Sequence, residues 1–394
     1  MFTPRRTALD PLFTPQFAGM WVFAFITFFS AFQLLPGIPF RILELGGTKA
    51  QAGWFLAVYT FASALAGPLM GNIADHVGRR RLLVTASILF VGFSVLYGVV
   101  RVLPLLLIIG AIHGSIWSGI LSSASAIMSH HIPESRRTEG LAYWGLASTA
   151  AVAVAPAVGL WVYHFGWTVL CTELAIISAM MAIWASRLPL SDADQQPEEG
   201  PSIRTAFDWP TIRASLTLTT ISFGYGGVTS YAAILATERH IAPRSIYFSV
   251  FATTIVLFRI ATAHLGDRYG TKQMLYPSLA CLPAAFAILA IAHQRWEMIA
   301  SAILFGIGFG GAYPAFASWI LDNTDFRRRA RTFGSIILAF DIGIGTGSAV
   351  IGVVGEHYGL GHAFALACVL SCLSIPIFAM TSKRMAVAEG RAGR

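Results

Sequence analysis

The chain contains 394 residues, of which 56% are hydrophobic and 12% charged, whereas soluble domains carry about 25% charged residues. This deficit excludes an ordinary soluble domain and indicates that much of the surface faces lipid. The formal net charge of +8 is large enough for a nucleic-acid-binding protein. The positions of the basic residues decide between nucleic-acid binding and a role in membrane topology.

Twelve apolar stretches, each long enough for a membrane helix, follow one another along the chain. A membrane-spanning helix needs roughly 20 apolar residues, and none of the stretches shows the alternating pattern of a barrel strand. The sequence therefore predicts an all-α membrane protein with twelve transmembrane helices. The predicted spans are 17–40, 50–70, 82–100, 103–128, 139–163, 167–187, 213–236, 246–265, 273–293, 297–320, 331–354 and 361–381.

Basic residues are distributed unevenly between the two sides of this membrane topology. With the N-terminus inside, 20 of the 27 Lys and Arg residues fall in inner segments and six in outer loops, while Arg259 lies within a span. By the positive-inside rule, this asymmetry places both termini in the cytoplasm. We therefore expect a multi-pass protein of the plasma (cell inner) membrane. Its expected partner is the lipid bilayer, and we do not expect it to bind nucleic acid.

The chain divides into two similar halves. Residues 188–212 form its only long polar stretch and are predicted to be a flexible cytoplasmic linker. Short patterns recur on either side of it: Gly114 matches Gly306 at a spacing of 192 residues, and His164 matches His357 at a spacing of 193. Six helices are an even number, so both halves have the same orientation. The predicted divisions are an N-terminal six-helix half, 1–187, the linker, 188–212, and a C-terminal six-helix half, 213–394.

Two similar polar segments follow the second span of each half. They read "GNIADHVGRRRLL" at 71–83 and "AHLGDRYGTKQML" at 263–275. The first resembles motif A of the major facilitator superfamily, and the resemblance covers essentially the whole chain. It implies two parallel six-helix halves and a cytoplasmic latch that closes and releases during transport. The alternative is that the arginines serve only as topology signals. The residues of this gating motif are Gly71, Asp75, Gly78, Arg79 and Arg80 in the first copy, and Asp267, Arg268 and Gly270 in the second.

Three ionisable groups at membrane depth are candidates for function, because charges there are costly and rare. His113 and Asp341 are candidates for proton coupling, and by resemblance to the family His113 would face the central cavity. Arg259 would contact substrate or form a structural pair with an acid such as Asp341. The alternative for His113 is hydrogen-bonded packing. Asp341 lies in a glycine-rich stretch, "FDIGIGTG", that would also permit close helix packing.

The rest of the predicted cavity is apolar and aromatic. Few amides are available to satisfy sugar hydroxyls, and unmatched polar groups are costly, so we expect an amphipathic solute. The helix-4 motif of proton-coupled relatives has an arginine where this chain has Gly110, and the helix-5 stretch "APAVGL" matches the antiporter motif only in part. The candidates for substrate binding are Gln33, Trp117, Tyr225, Arg259 and Tyr313.

These observations predict a secondary active transporter that exports a small amphipathic organic molecule by proton-coupled alternating access. Two alternatives are proton-linked or facilitated uptake of a metabolite such as an organic acid, and a transport-inactive sensor. H-E-x-x-H, G-x-S-x-G and Walker A motifs are absent from the sequence, so we do not expect an enzyme. We expect no cofactor and no metal, since the four cysteines lie in apolar spans without neighbouring His or carboxylate ligands. A monomer with a small-molecule substrate is expected.

Overall fold

The structure is a computed structural model, and it describes residues 11–188, 208–262, 271–324 and 329–392. These residues are almost entirely helical, and we number the α-helices in chain order. They are α1 Pro15–Glu44, α2 Lys49–Val77, α3 Arg79–Val99, α4 Leu103–His131, α5 Arg137–Tyr163, α6 Trp167–Arg187, α7 Trp209–Ala214, α8 Leu216–Glu238, α9 Ile246–Thr262, α10 Thr271–Ile291, α11 Arg295–Asp322, α12 Arg329–Tyr358, α13 Leu360–Cys372 and α14 Ser374–Ala392.

The predicted all-α membrane fold is confirmed. Within the described ranges, ten helices are long and apolar enough to cross a bilayer, with α13 and α14 together forming one of them, and α9 is a shorter apolar helix. The remaining predicted span corresponds to α8, whose sequence is rich in Ser, Thr, Gly and Tyr. Every residue from Ile221 to Ala236 is buried, so α8 is surrounded by protein. This explains why it does not need a lipid-compatible surface.

The helices form two six-span halves with the same internal packing. In the first half α1 packs on α5, α2 on α4 and α3 on α6. In the second half α8 packs on α12, α9 on α11 and α10 on α13. These pairs occupy equivalent places in the two halves. The halves meet mainly where α2 packs on α12 and α5 packs on α9, as expected for two parallel repeats side by side.

We call the end of the bundle where α1 begins the terminal end, and the opposite end the distal end. The terminal end carries the start of α1, the α2–α3 connection and the end of α6. These elements are in contact: the Trp184 indole donates to Gly19 O at 2.9 Å, and the Arg80 guanidinium donates to Ser186 O at 3.0 Å. The distal end carries the α1–α2 and α5–α6 turns, where Gly46 and Gly166 have positive φ.

The first copy of the gating motif lies mostly in a helix, because α2 extends beyond residue 70, where the predicted span ends. Helix α2 continues to Val77, so Gly71 and Asp75 belong to its last two turns. Gly78 alone connects it to α3, with φ of +97°, a conformation that glycine adopts without a steric penalty. A single residue therefore joins α2 to α3.

The end of the predicted linker is also more ordered than expected. The backbone N–H of Asp208 donates to Ser335 Oγ at 2.8 Å, and α7 starts at the next residue. This short segment therefore docks against α12. The preceding part of the linker, residues 189–207, lies outside the described residues.

Candidate functional site between the two halves

Lys49, the first residue of α2, joins the halves at the distal end. Its backbone N–H donates to Glu356 Oε2 at 2.7 Å, and its Nζ lies 2.6 Å from Glu238 Oε1. The Tyr231 hydroxyl donates to the carbonyl of the same lysine at 2.7 Å. One residue of the first half is thus held by α8 and α12 of the second, and we call these contacts the Lys49 lock.

A second contact closes the distal end on the other side of the interface. Arg244, just before α9, places its guanidinium 5.0 Å from the ring centre of Phe40 and 4.8 Å from that of Tyr163. It also donates to Leu160 O at 3.4 Å. The Tyr163 hydroxyl donates in turn to Glu44 Oε1 at 2.6 Å. This side is sealed mainly by cation–π contacts, whereas the Lys49 lock is ionic.

The α2–α12 contact extends from the distal end to the middle of the bundle. Ser348 Oγ donates to Gly53 O at 3.0 Å, and a side chain at Gly53 would collide with the Ser348 carbonyl. Two helical turns further along α2, Thr60 lies against Gly345. The two helices are therefore in direct contact as far as this point.

Beyond the middle, the two helices diverge. Seven residues correspond to about two helical turns, so Gly67 continues the face of Gly53, and Gly334 continues the face of Ser348. Among the described residues, no atom outside their own helix turns lies within 4 Å of a side chain built at either Gly67 or Gly334. The hydrogen bonds that join Lys49, Ser348, Arg244 and Arg259 to the other half lie at the distal end or in the middle. The described bundle is thus closed at the distal end, and α2 and α12 are apart at Gly67 and Gly334.

Arg259 lies in the middle of the bundle, between the halves. Its NH1 donates to Thr149 Oγ1 at 2.6 Å, which links α9 to α5 of the other half. Its Nε is buried without a hydrogen-bond partner. The ion pairs among described residues do not include Arg259, so the alternative of a structural pair with Asp341 is not found. Sequence reasoning missed Thr149, which is one hydroxyl in a run of small residues.

Asp341 lies on α12 where that helix meets α2. Its carboxylate interacts electrostatically with Ser63 and Tyr59 of α2 and with Tyr313 of α11. Tyr313 also interacts electrostatically with Arg259. This cation and this carboxylate thus both interact electrostatically with the same tyrosine. The structure brings together three of the residues selected from the sequence: Arg259, Tyr313 and Asp341.

Aromatic rings surround this centre in both halves. In the second half, Tyr225 stacks on Phe309 with 4.5 Å between ring centres, and Tyr313 lies 4.9 Å from Phe340. In the first half, Trp117 makes an edge contact with a neighbouring phenylalanine of α1 at 5.0 Å. Tyr225 and Trp117 are both buried within these clusters. They support the walls of the central region, while Tyr313 lies beside its charged groups.

Gln33, selected from the sequence as a candidate substrate ligand, lies inside the first half. Its side chain is fully buried, and its amide, in the orientation that allows the nitrogen to donate, lies 3.2 and 3.3 Å from the Glu173 carboxylate oxygens of α6. The backbone of α1 at this position packs against Gly159 of α5. Gln33 therefore faces helices of its own half, because the polar face of α1 is turned towards α6 at this level.

His113 also lies within the first half. Its ring is enclosed by Phe90, Phe93, Tyr59 and Tyr97, with ring centres 4.4 to 5.8 Å away. The Tyr97 hydroxyl lies 3.1 Å from His113 Nδ1, while Nε2 is buried without a partner. The expected position facing an open cavity is therefore replaced by an aromatic cage between α2, α3 and α4.

Arg79 and Arg80 of the gating motif both contact residues of the first half. Arg79 is 7% exposed and its NH1 lies 3.2 Å from Nε2 of His130, at the end of α4. Arg80 contacts the end of α6, as given above. A side chain at Gly71 would meet no atom of the described residues within 4 Å. The second copy, with Asp267, Arg268 and Gly270, lies outside the described residues.

The comparisons with known proteins agree with this architecture. The family model described as Major Facilitator Superfamily matches residues 20–282 and 214–392. A probable 4-methylmuconolactone transporter of Cupriavidus pinatubonensis is 26% identical over 358 residues, covering 85% of this chain and 82% of that protein. The multidrug resistance protein MdtG of Escherichia fergusonii is 22% identical over 371 residues, covering 89% and 90%.

A solved structure shows the same fold. It is a bacterial homologue of the human lysosomal transporter Spinster, in an inward-facing and unoccupied conformation. It superposes with a TM-score of 0.75 at 14% identity, covering 96% of this chain and 98% of that one. Family and fold point to a small-molecule transporter embedded in the membrane rather than to an enzyme. The chain belongs to the Major Facilitator Superfamily.

Proposed function

We propose that this protein is a secondary active transporter of a small amphipathic organic anion, which moves together with a proton by alternating access. Arg259 would bind the anionic group, and Asp341 would bind the proton. Because basic residues are concentrated at the terminal end, we place that end in the cytoplasm. The described conformation, closed distally, would then be open towards the cytoplasm.

The observation that carries this proposal is the incomplete set of partners around Arg259. A guanidinium offers five N–H donors, and an isolated buried charge costs several kcal/mol unless it is paired. Here, one donor reaches Thr149 and Nε has no partner. A carboxylate or similar anion entering between the halves would supply the missing acceptors. The contact to Thr149 would bring both halves to the same ligand.

The surroundings of Arg259 favour an anion with an apolar body. Tyr313, Phe309 and Phe340 form a contiguous aromatic surface beside it. Such rings supply contact area to an apolar or aromatic ligand. The polar groups at this level are few, so a ligand with many hydroxyls would leave hydrogen bonds unmade.

The position of Asp341 gives a reason for coupling to protons. When ionised, Asp341 offsets the charge of Arg259 across Tyr313; when protonated, it leaves that positive charge free to attract an anion. Proton and anion therefore favour each other's binding, and both cross in the same direction. Under an inward proton gradient, this scheme produces uptake, which is the alternative that the sequence left open for an organic acid.

The test is transport by purified protein in liposomes, with a set of aromatic and aliphatic carboxylates and their neutral amides. Arg259→Met should lower carboxylate transport by about 100-fold or more, since breaking a buried charge contact costs about 3–5 kcal/mol. It should leave amide transport unchanged. Arg101→Met, which removes an exposed cation, is the matched control. Undiminished carboxylate transport by Arg259→Met, with normal protein yield, would exclude this anion contact.

Export is the second candidate, and the names of relatives favour it. MdtG is a multidrug resistance protein, and a further relative from Haemophilus influenzae is the multidrug export protein EmrB. The direction of the proton gradient separates the two candidates in the same liposomes. Uptake predicts accumulation on the alkaline side, whereas proton-driven export predicts accumulation on the acidic side. Absence of transport in every condition would favour a transport-inactive sensor.

A further inference from the structure

The guanidinium of Arg259 is held at one nitrogen only, and the atom that holds it belongs to the other half. Its Nη1 donates to Thr149 Oγ1 at 2.6 Å. Its Nε is buried without a partner. Among the described residues, the hydrogen bond to Thr149 is the one that this guanidinium makes. Two of its three nitrogens, Nε and Nη2, are therefore left to bind a ligand.

The Thr149 hydroxyl is fixed by its own helix. It donates its proton to Gly145 O at 2.8 Å, one turn back along α5. A threonine hydroxyl has one proton and two acceptor lone pairs, so towards Arg259 it acts as an acceptor. Its β-branched side chain also has few rotamers in a helix. The position of this acceptor is therefore set by the backbone of α5.

The nitrogen that Thr149 holds determines which edge of the guanidinium stays free. The group is planar, and its five N–H bonds form a rigid fork. On one edge, the N–H bonds of Nε and Nη2 are nearly parallel, and Nη1 is not part of that edge. Two parallel N–H bonds match the two oxygens of a carboxylate. With Nη1 of Arg259 fixed on α5, the edge that suits a carboxylate is the free one.

Open space lies beside this contact, on its terminal side. Gly145 and Thr149 are four residues apart and share one face of α5, and Gly145 is the nearer of the two to the terminal end, where α5 begins. A side chain at Gly145 would meet no atom of the described residues within 4 Å. A ligand that enters from the terminal end therefore has room next to the hydrogen bond between Thr149 and Arg259.

We propose that Thr149 is a positioning residue: by holding Nη1 of Arg259, it presents the Nε–Nη2 edge to the ligand, so that a carboxylate is bound by two parallel hydrogen bonds. This inference rests on the proposed function, in which Arg259 binds the anionic group. It identifies that group as a carboxylate, whose two coplanar oxygens match the two donors. Because Thr149 and Arg259 belong to different halves, the guanidinium has this orientation only while α5 and α9 are in contact at this level.

The test measures transport kinetics of purified protein in liposomes, with benzoate, phenylacetate and octanoate as probes, each paired with its neutral amide. Thr149→Val keeps the shape of the side chain and removes the acceptor. The guanidinium can then rotate, so we expect the KM of the carboxylates to rise about 10-fold or more while kcat stays unchanged. The amides do not offer two equivalent oxygens, and their KM should stay the same.

Three further variants separate the hydroxyl from the packing of α5 and from the charge of Arg259. Thr149→Ser keeps the hydroxyl and should restore the KM of the carboxylates. Ser148→Ala is the matched control, because Ser148 Oγ donates to the same Gly145 O at 3.0 Å, while the hydrogen bond from Arg259 goes to Thr149. It should leave every KM unchanged. Arg259→Lys keeps the positive charge but lacks the planar fork, so it should also raise the KM of the carboxylates about 10-fold or more.

A higher KM for the carboxylates in Thr149→Val and Arg259→Lys, with recovery in Thr149→Ser, supports the inference. It is overturned by an unchanged KM in Thr149→Val or in Arg259→Lys, by no recovery in Thr149→Ser, or by a loss of kcat alone. Equal rises for carboxylates and amides, or the same rise in Ser148→Ala, show a packing effect and also overturn it.

The proposed function survives each of these negative results as long as Arg259→Met still lowers carboxylate transport. Undiminished carboxylate transport by Arg259→Met removes the proposed anion contact and this inference with it. Absence of transport of all three carboxylates by the unchanged protein has the same consequence.

Discussion

The Lys49 lock should set how often the distal end opens, and reversing its charge tests this. Lys49→Glu places a carboxylate opposite Glu238 and close to Glu356, while the backbone contacts of residue 49 can persist. Lys49→Glu combined with Glu238→Lys restores an ion pair with the opposite polarity. The expected result is more frequent distal opening in the single variant and recovery of the closed state in the double variant.

The size of the effect follows from the exposure of the pair. The side chains of Lys49 and Glu238 are 23% and 39% exposed, so solvent screens them and the pair contributes about 0.2–1 kcal/mol. Lys49→Glu replaces this attraction with a repulsion of similar size from Glu238. The new carboxylate also lies close to Glu356, which adds a second repulsion. The total is on the order of 1–2 kcal/mol, which corresponds to a shift of about 5- to 30-fold in the ratio of closed to open states.

The assay measures access to a cysteine under the lock. Ala52 is 0% exposed and lies about one helical turn from Lys49, so Ala52→Cys in a background without the native cysteines reports distal opening. A membrane-impermeant maleimide should react about 5- to 30-fold faster when Lys49→Glu is added to this background. Because salt screens exposed charges, the difference should decrease at 1 M salt.

Arg101→Glu is the control, since it reverses an exposed charge at the same end outside the lock. Two results would refute the reasoning. One is an equal acceleration by Arg101→Glu, which would indicate a general effect of charge on the reagent. The other is a double variant that stays as reactive as Lys49→Glu, which would show that the Lys49–Glu238 pair does not hold the distal end closed.

Three further substitutions have defined outcomes. Asp75→Asn should leave expression and membrane insertion nearly normal, because the residue lies at the end of α2, but should strongly reduce transport if the gating motif acts as a latch. Gly78→Ala should lower the thermal midpoint of the purified protein, since an alanine at φ of +97° would occupy a sparsely populated backbone region at a cost of about 1–3 kcal/mol. Gly53→Ala should weaken distal closure and accelerate maleimide labelling in the Ala52→Cys background, because its methyl group meets the Ser348 carbonyl.

Each of these results has a control or a contradicting outcome. Gly67→Ala adds a methyl group where no neighbour lies within 4 Å, so it should leave distal labelling and the thermal midpoint unchanged. Equal effects of Gly53→Ala and Gly67→Ala would contradict the close approach described for α2 and α12. Normal transport by well-expressed Asp75→Asn protein would remove the latch interpretation. An unchanged midpoint in Gly78→Ala would show that the turn relaxes without strain.

The course of the chain through the membrane could be read from the amino-acid sequence. Lipid offers no hydrogen-bond partners, so each crossing segment must satisfy its own backbone as a helix. Length and hydropathy then locate the helices: the predicted span 167–187 coincides with α6, and 103–128 lies within α4. The repeat of patterns between the halves likewise predicted their common orientation. The motif resemblance identified the family before any contact was known.

The direction in which each side chain points could not be read in this way. Successive residues rotate by about 100° around a helix axis with 3.6 residues per turn, and nothing in an apolar helix states which face meets which neighbour. Gln33 was therefore selected for a substrate site, yet its amide meets Glu173 within its own half. His113 was selected for a cavity, yet four aromatic rings of α2 and α3 enclose it.

The central site depends on contacts between distant parts of the chain. Arg259 stands out in the sequence because a cation at membrane depth is rare. Its partner Thr149 does not, because it is one of many small residues in an apolar helix 110 positions away. The two meet because α5 and α9, from different halves, pack side by side. The tilt and spacing of helices from two halves are determined by the packing of the whole bundle, so they cannot be predicted from local composition.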